Sequence, residues 1–223
     1  MTHAYRMAPL LALGLVAACE ATDTMPDTDM ISEDTSPAVN YTVRLDSERS
    51  DPGQFQVSLG GEGLRILTGP AGITYQAGDV VSSGDFLVEA TFVQYSAPVG
   101  YREAYGIFVG GRELDAADHE YTYLLVRPTG DFLVKRRLGE ITEVLVDWTP
   151  HDAVARVDAE GDEPTNVLAV EVVAGETRFI VNGEVVHSMP AAEARPYGVA
   201  GIRANHRLDV SMNGWSLTTA GPG

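Results

Sequence analysis

Short runs in which apolar and polar residues alternate recur along the chain from Asn40 onward, each bounded by Gly, Pro, Asn or Asp. Alternation with a period of two puts successive side chains on opposite faces of a strand. No segment keeps an apolar stripe at helical spacing, and only residues 189–195, MPAAEAR, favour a helical turn. Many short strands without βαβ alternation predict an all-β sandwich or barrel. One domain of about 180 residues, 40–219, favours an antiparallel two-sheet jelly-roll sandwich.

Two hairpins can be read from the turn residues. Asn182-Gly183 lies between apolar runs in RFIVNGEVVHS, and both residues accept the positive φ of a two-residue type I′ turn. In YTYLLVRPTGDFLVKRR, residues 121–137, Pro128-Thr129-Gly130 suits a type I turn closed by a left-handed glycine.

The three-residue loop of the second hairpin pairs Arg127 with Asp131 and Leu125 with Leu133. A two-residue turn at Thr129-Gly130 would shift the register by one and mix polar with apolar side chains on both faces. The preferred register instead makes one face apolar. The opposite face then carries Tyr121, Tyr123, Arg127, Asp131, Lys135 and Arg137.

The amino terminus has the pattern of an export signal. Met7 to Ala18 is an apolar run of twelve residues, which is too short to span a bilayer as a helix and has the length of a signal-peptide core. It ends at Cys19, the only cysteine of the chain. Val16-Ala17-Ala18-Cys19 resembles the bacterial lipobox, which implies lipidation of Cys19 after removal of residues 1–18; the alternative is an ordinary secretory signal cleaved near Ala18.

Residues 19–39 predict a lipidated cysteine followed by a disordered acidic tether, because they are rich in Asp, Glu, Thr, Ser and Pro and lack apolar periodicity. The formal net charge of −17 argues against a nucleic-acid partner. Two acyl chains anchor a protein stably, so the predicted location is the bacterial cell envelope. Glu20 is not the Asp that resembles an inner-membrane retention signal, which favours the outer membrane.

Several segments together resemble the concanavalin A-like lectin/glucanase superfamily. They are AYGIFVGG, YTYLLVRPTGDFLVKRR, NVLAVEVVAGETRFIVNGEVV, YGVAGIRA and LDVSMNGWSL, within residues 41–217. Inside that superfamily the chain looks most like the 3-keto-disaccharide hydrolase family, long described as a domain of unknown function and often carried by bacterial lipoproteins. The resemblance implies two antiparallel sheets, one of them concave, with a ligand on the concave face or its rim loops.

Catalytic and metal patterns are weak in the sequence. The superfamily's glucanases resemble one another in a Glu-x-Asp-x-(x)-Glu run along one strand, and this chain has none; Glu140 and Glu143 fall on opposite faces. Two acidic clusters are candidates for calcium, although a solvated acidic loop is the preferred reading of each and no cofactor is predicted. They are Asp158, Glu160, Asp162 and Glu163, and Asp115, Asp118, His119 and Glu120.

The polar face of the second hairpin is the main binding candidate. Tyr121 and Tyr123 share a face with Lys135 and Arg137, and aromatic rings beside forked donors suit a carbohydrate; the alternative is a solvated, charge-paired sheet. Near a later turn, Arg203 and His206 are candidates for an anionic or keto-bearing ligand.

Three hypotheses follow. The first is a membrane-anchored lipoprotein that binds a carbohydrate on its concave face. The second is a hydrolase of 3-keto-disaccharides, with Glu103, His206 or Asp209 as the nearest acid or base. The third is a module that binds another envelope protein.

Overall fold

The computed structural model describes residues 36–38, 40–61 and 63–220, and within them it contains fifteen strands, one 3-10 helix at Pro52–Gln54 and one short α-helix. The strands are β1 Ser36–Pro37, β2 Thr42–Leu45, β3 Phe55–Gly60, β4 Gly63–Thr68, β5 Gly72–Val81, β6 Phe86–Gln94, β7 Tyr105–Arg112, β8 Glu120–Arg127, β9 Asp131–Leu138, β10 Ile141–Pro150, β11 Thr165–Val173, β12 Glu176–Val181, β13 Glu184–Pro190, β14 Gly198–Ala204 and β15 Asp209–Thr219. The helix α1, Ala191–Ala194, lies inside the segment predicted to form a helical turn.

The strands form two antiparallel sheets, which confirms the predicted all-β sandwich. The eight-stranded sheet has the order β1-β3-β4-β15-β6-β11-β12-β13, and the seven-stranded sheet has the order β10-β9-β8-β7-β14-β5-β2. Six of the thirteen neighbouring pairs are consecutive strands, and the other pairs arise because the chain passes repeatedly from one sheet to the other. The apolar core between the sheets includes Phe92, Leu124 and Val170, each with no solvent exposure.

Both predicted hairpins are confirmed, and each follows from the conformation of its turn. Asn182 and Gly183 have φ of 50° and 83°, and Val181 pairs with Glu184 across them. Gly130 has φ of 86°, and Arg127 pairs with Asp131 as the three-residue loop requires. Because this register holds along β8 and β9, Leu124 and Val126 face the core and Tyr121 and Tyr123 face the opposite side.

The sandwich begins earlier than residue 40. Ser36–Pro37 pairs with β3, and Ala38 is buried and donates its backbone N–H to the Val57 carbonyl. These three residues fall inside the segment 19–39 that composition predicts as tether. The predicted signal peptide, Cys19 and the tether up to residue 35 lie outside the described residues. Within the described residues, no helix has the length and apolar character needed to span a bilayer.

A buried polar contact joins the two sheets through the core. Nδ2 of Asn166 on β11 donates to the Tyr105 hydroxyl on β7 at 3.0 Å, and Oδ1 of Asn166 accepts from the Ala155 backbone N–H at 2.9 Å. Each side chain is 1 % exposed. Burial raises the pKa of Tyr105 to about 12, so the hydroxyl stays protonated at all ordinary pH values. A buried amide needs such partners, because an unsatisfied donor loses its hydration without compensation.

We predict that Tyr105→Phe lowers the free energy of unfolding by about 1–3 kcal/mol, since it leaves an amide proton of Asn166 without an acceptor in the core. Urea unfolding followed by fluorescence measures the change. Tyr95→Phe is the matched control, because the Tyr95 hydroxyl contacts Ser211 in a partly exposed position. Equal stability of Tyr105→Phe and the wild type would show that the contact between the sheets contributes nothing.

Candidate functional site

The seven-stranded sheet has a second, smaller apolar cluster on the face that points away from the core. Strand alternation produces it, because residues two apart on β8 and their partners on β7 and β9 share that face. The cluster consists of Ile73, Tyr75, Ala104, Phe108, Leu114, Tyr121, Tyr123, Leu125 and Leu133. Charged side chains border it, so this face combines an apolar floor with polar groups above.

This face is concave, as the ion pairs across it demonstrate. β2 and β9 are separated by five strand spacings, which would place them about 24 Å apart in a flat sheet. Nevertheless Asp46, directly after β2, has its Oδ2 3.6 Å from Nη1 of Arg137 on β9. The sheet and the segment after β2 must therefore curl towards each other. We call this face of the seven-stranded sheet the concave face.

Asp46 forms a bidentate ion pair with Arg203 on β14. The two hydrogen bonds are 2.5 Å from Nη1 to Oδ1 and 2.6 Å from Nη2 to Oδ2, and Arg203 is 6 % exposed. Burial on its own would raise the pKa of Asp46, but the charge and hydrogen bonds of Arg203, with smaller contributions from Arg137 and His206, lower it below its usual value. The Asp46 carboxylate therefore stays ionised at neutral pH.

Tyr121 and Tyr123 lie beneath these charges. Their side chains face the same side, as predicted, but they are only 2 % and 5 % exposed. Their rings contact each other with centroids 5.6 Å apart, and the Arg203 guanidinium lies 5.7 Å from the Tyr123 ring. Burial raises the pKa of Tyr123 to about 12. The tyrosines thus form a covered floor, and in this conformation neither ring presents an open face to a sugar.

A cleft of about 530 Å³ opens beside this floor. It is lined by Arg44, Leu45, Asp46, Ser47, Glu48, Arg49, Ala117, His119, Arg137 and Glu140. The lining comes from three places in the chain: the end of β2 with the segment after it, the β7–β8 connection, and the β9–β10 hairpin. Three guanidinium groups, an imidazole and a hydroxyl provide donors, three carboxylates provide acceptors, and the carboxylate of Asp46 is already held by Arg203.

The arginines of the cleft are held in place mainly by carbonyl groups. Arg137 donates from Nε to the Gly139 carbonyl at 2.5 Å, while its Nη2 is 3.5 Å from the backbone oxygen of Asp46. Arg44 donates from Nη1 to the Leu114 carbonyl at 2.8 Å. Within the described part of the chain, Nε of Arg44 is buried without a hydrogen-bond partner.

His119 closes one side of the cleft. Its Nδ1 is 3.0 Å from Nη2 of Arg44 and 3.1 Å from the Ala116 carbonyl oxygen, and its ring stacks on Tyr121 with centroids 6.0 Å apart. Burial, and then the charge of Arg44, lower the pKa of His119. The imidazole is therefore mainly neutral at pH 7 and acts as a polar wall.

The other residues predicted for the site are dispersed. Lys135 pairs with Tyr123 across the hairpin and is half-buried. Arg127 instead pairs with Asp131 at 3.0 Å and lies 4.2 Å from the Trp148 ring, so it packs the far end of the hairpin. His206 is exposed in the connection between β14 and β15.

The three candidates for acid or base do not converge. Oε2 of Glu103 accepts from the His206 backbone N–H at 3.1 Å and lies 3.7 Å from its Nδ1. Asp209 is on the eight-stranded sheet, where its Oδ2 accepts from Nη2 of Arg65 at 2.7 Å. No catalytic carboxylate pair can be assembled from these residues as they lie.

In both acidic clusters, carboxylates are engaged in other contacts. Asp162 uses Oδ2 to accept the backbone N–H groups of Asp158 and Ala159, which closes a turn. In the second cluster, Glu120 pairs with Arg112 and Arg195. Among the described residues, no three His, Cys, Asp or Glu side chains lie close enough together to hold a metal ion.

Sequence reasoning missed Arg44, Asp46, Arg49 and the cleft role of His119. A signal was present in VRLDSER, where Arg44 and Asp46 are two apart, a spacing that puts both side chains on one face of an extended segment. The alternation could place them together, but it could not show that the edge strand curls back over β8 and β9.

Solved structures with this architecture show that the chain has the concanavalin A-like jelly-roll fold. The carbohydrate-binding module CBM66 from Bacillus subtilis is 10 % identical, with a TM-score of 0.57, over 83 % of this chain and 98 % of that one. The alginate lyase A1-II′, a member of polysaccharide lyase family 7, is 8 % identical, with a TM-score of 0.53, over 81 % of this chain and 95 % of that one. No protein-family model and no curated protein matches the sequence. The narrower resemblance to 3-keto-disaccharide hydrolases therefore stays a prediction.

We predict that Asp46→Asn destabilises the protein by about 3–5 kcal/mol at pH 7, because it leaves the buried guanidinium of Arg203 without a counter-charge. The pKa of Asp46 is lower in the folded state than in the unfolded state. The ionised carboxylate therefore contributes its full share of the folding stability above the unfolded-state pKa of about 3.9, and this share is lost as the pH falls through the folded-state pKa. The stability difference between the wild type and the variant should therefore shrink at acid pH.

Urea unfolding between pH 7 and pH 3 measures both effects. Asp152→Asn is the control, since Asp152 is exposed and forms no ion pair within the described residues. A stability difference that is absent at pH 7, or that does not change with pH, would contradict the assigned role of Asp46.

Proposed function

We propose that this protein binds a carbohydrate in the cleft on the concave face. The carrying observation is the cleft itself, whose volume of about 530 Å³ lies within the usual range for ligand sites. Arginine forks, a neutral imidazole and the Ser47 hydroxyl provide donors at its walls. Sugar hydroxyls and ring substituents are recognised by such fixed polar groups.

The fold supports the proposal without proving it. CBM66 is named as a carbohydrate-binding module, and A1-II′ is named as an alginate lyase. The two proteins demonstrate that a sandwich of this shape is compatible with carbohydrate ligands. Because both are no more than 10 % identical to this chain, the argument for a sugar ligand rests on the residues of the cleft.

Binding without turnover fits the cleft better than hydrolysis does. Acid catalysis by a carboxyl group needs one that is protonated near neutral pH. The lowered pKa of Asp46 excludes it from that role, and Glu103 and Asp209 lie elsewhere. Hydrolysis of 3-keto-disaccharides is thus a second hypothesis that rests on the sequence resemblance, and a module that binds a protein partner is a third.

We further propose that the sandwich is carried on a lipid anchor. The support is the short apolar run that ends in Val16-Ala17-Ala18-Cys19, followed by an acidic segment up to the first described strand. The anchor would keep the cleft at the cell envelope, where glycans are abundant, and Glu20 favours the outer membrane.

We predict that Ala117→Trp abolishes glycan binding by filling the cleft, while all the arginines stay in place. Ala117 is exposed at the cleft wall. The full-length protein is applied to a glycan array, and circular dichroism checks the fold. Ala159→Trp is the matched control, because Ala159 is an exposed alanine in the loop beside the other end of the β8–β9 hairpin.

Turnover is tested by mass spectrometry. The glycans that bind on the array, and 3-keto-disaccharides, are incubated with the protein, and their masses are expected to stay unchanged. New product masses would favour the hydrolase hypothesis. A folded wild-type protein that binds nothing on the array would reject the carbohydrate proposal and favour a protein partner. Retention of binding by Ala117→Trp would place the glycan outside this cleft.

We predict that Cys19→Ser moves the protein from the membrane fraction to the soluble fraction of a bacterial host, because no sulfur remains for the lipid. Incorporation of labelled palmitate by the wild type and its loss in the variant measure the modification directly. Ser36→Ala serves as a control that changes a nearby position and keeps the thiol. If Cys19→Ser stays in the membrane fraction, the lipobox interpretation is wrong.

A further inference from the structure

Basic side chains gather on the concave face of a strongly acidic chain. The net charge is −17, with 32 acidic and only 15 basic side chains. The acidic side chains of the cleft are Asp46, Glu48 and Glu140. Five of the basic side chains lie at the cleft or beside it on the concave face: Arg44, Arg49, Lys135, Arg137 and Arg203. Such a concentration of scarce cations at a cavity points to an anionic ligand.

The arginines of the concave face differ in how completely an acidic side chain neutralises their charge. Asp46 neutralises Arg203, because both Nη atoms meet its carboxylate at 2.5 and 2.6 Å, although within the described residues the Nε of Arg203 is buried without a hydrogen-bond partner. For Arg137, Nη1 lies 3.6 Å from Oδ2 of Asp46 and Nη2 lies 3.5 Å from the Asp46 backbone oxygen, and both distances are longer than an ordinary charge-assisted hydrogen bond. The two Nη groups of Arg137 are therefore oriented by the Nε bond to Gly139 and still have donor capacity towards the cleft.

Arg44 adds a second uncompensated charge. Its Nη groups meet a carbonyl and the neutral ring of His119, neither of which carries a negative charge, and its Nε is buried with no partner among the described residues. Glu48 and Glu140 also line the cleft, but both are exposed and neither forms an ion pair with Arg44 or Arg137 within the described part of the chain. The inner cleft is thus left with positive charge that a ligand could neutralise.

We propose that the cleft selects acidic glycans, and that Arg137, assisted by Arg44, binds the carboxylate of a uronic acid unit. This inference rests on the proposed carbohydrate-binding function and specifies its ligand class. A planar guanidinium fork matches a planar carboxylate, and the Arg203–Asp46 pair already shows that geometry beside the cleft. Arg49, at the exposed rim, adds attraction for the next acidic unit of the chain.

The test is isothermal titration calorimetry of the full-length protein with oligosaccharides of matched length. Oligomers of galacturonate, mannuronate and guluronate are compared with their methyl esters, which keep the sugar backbone and remove the charge. At least one acid oligomer should bind tenfold or more tightly than its ester when both are measured at the same salt concentration, because salt screens exposed charges. Oligosaccharides of neutral sugars that carry sulfate groups are a third set of ligands, because they are anionic but have no carboxylate.

Two variants of Arg137 test the role of its guanidinium group. Arg137→Gln removes the charge, and Arg137→Lys keeps the charge without the fork; both should weaken binding of the acid oligomer by tenfold or more. Arg156→Gln is the control, because it removes an exposed arginine from the opposite end of the hairpin, where it lies near Asp158. Unfolding curves confirm that each variant is folded.

The outcomes separate this inference from the broader proposal. Equal binding of an acid and its ester would leave carbohydrate binding intact and overturn acid selectivity. Sulfated oligosaccharides that bind as tightly as the uronates would overturn the assignment of a carboxylate. Full binding by Arg137→Gln would overturn the role of this fork, and failure of every acidic and neutral glycan to bind would reject both proposals together.

Discussion

The ion pair between Arg203 and Asp46 is the interaction on which the concave face depends. It ties the segment after edge strand β2 to β14 in the middle of the sheet, and it brings the same carboxylate within reach of Arg137 on β9. Taking two charges out of water is unfavourable unless both are well matched. The bidentate geometry provides that match, so the segment that carries Asp46 is held over the tyrosine floor and becomes a wall of the cleft.

The same pair explains why the cleft retains positive charge. One carboxylate cannot neutralise three arginines, and the shortest hydrogen bonds to Asp46 come from Arg203. Arg137 and Arg44 are then positioned by carbonyl oxygens and by a neutral imidazole, which orient a guanidinium without cancelling its charge. The lowered pKa of His119 contributes to this arrangement, because a protonated ring beside Arg44 would repel it.

The cleft has arginines whose charge is not neutralised, whereas the chain as a whole is strongly acidic, and this difference affects how an acidic ligand is recognised. A net charge of −17 repels polyanions at long range, and salt screens that repulsion over about a Debye length. Inside the cleft, short contacts in a less polar environment are screened much less. An acidic ligand would therefore be chosen by local fit to the guanidinium forks, whereas non-specific attraction to the remainder of the protein would be absent.

Local sequence determined the elements and their faces. The register of β8 and β9 follows from the left-handed conformation of Gly130. It also keeps Leu124 and Val126 on one face and Tyr121 and Tyr123 on the other, and the alternation that requires this can be read within one hairpin.

What covers a face depends on residues far away in the chain. Tyr121 and Tyr123 had the pattern of an exposed platform, but sheet curvature brought Asp46 and its partners over them. Arg127, on the same face by alternation, was drawn to Asp131 and Trp148 and away from the cleft. Alternation specifies which side a side chain points to, whereas burial and ion pairing on that side are decided only when distant strands close around it.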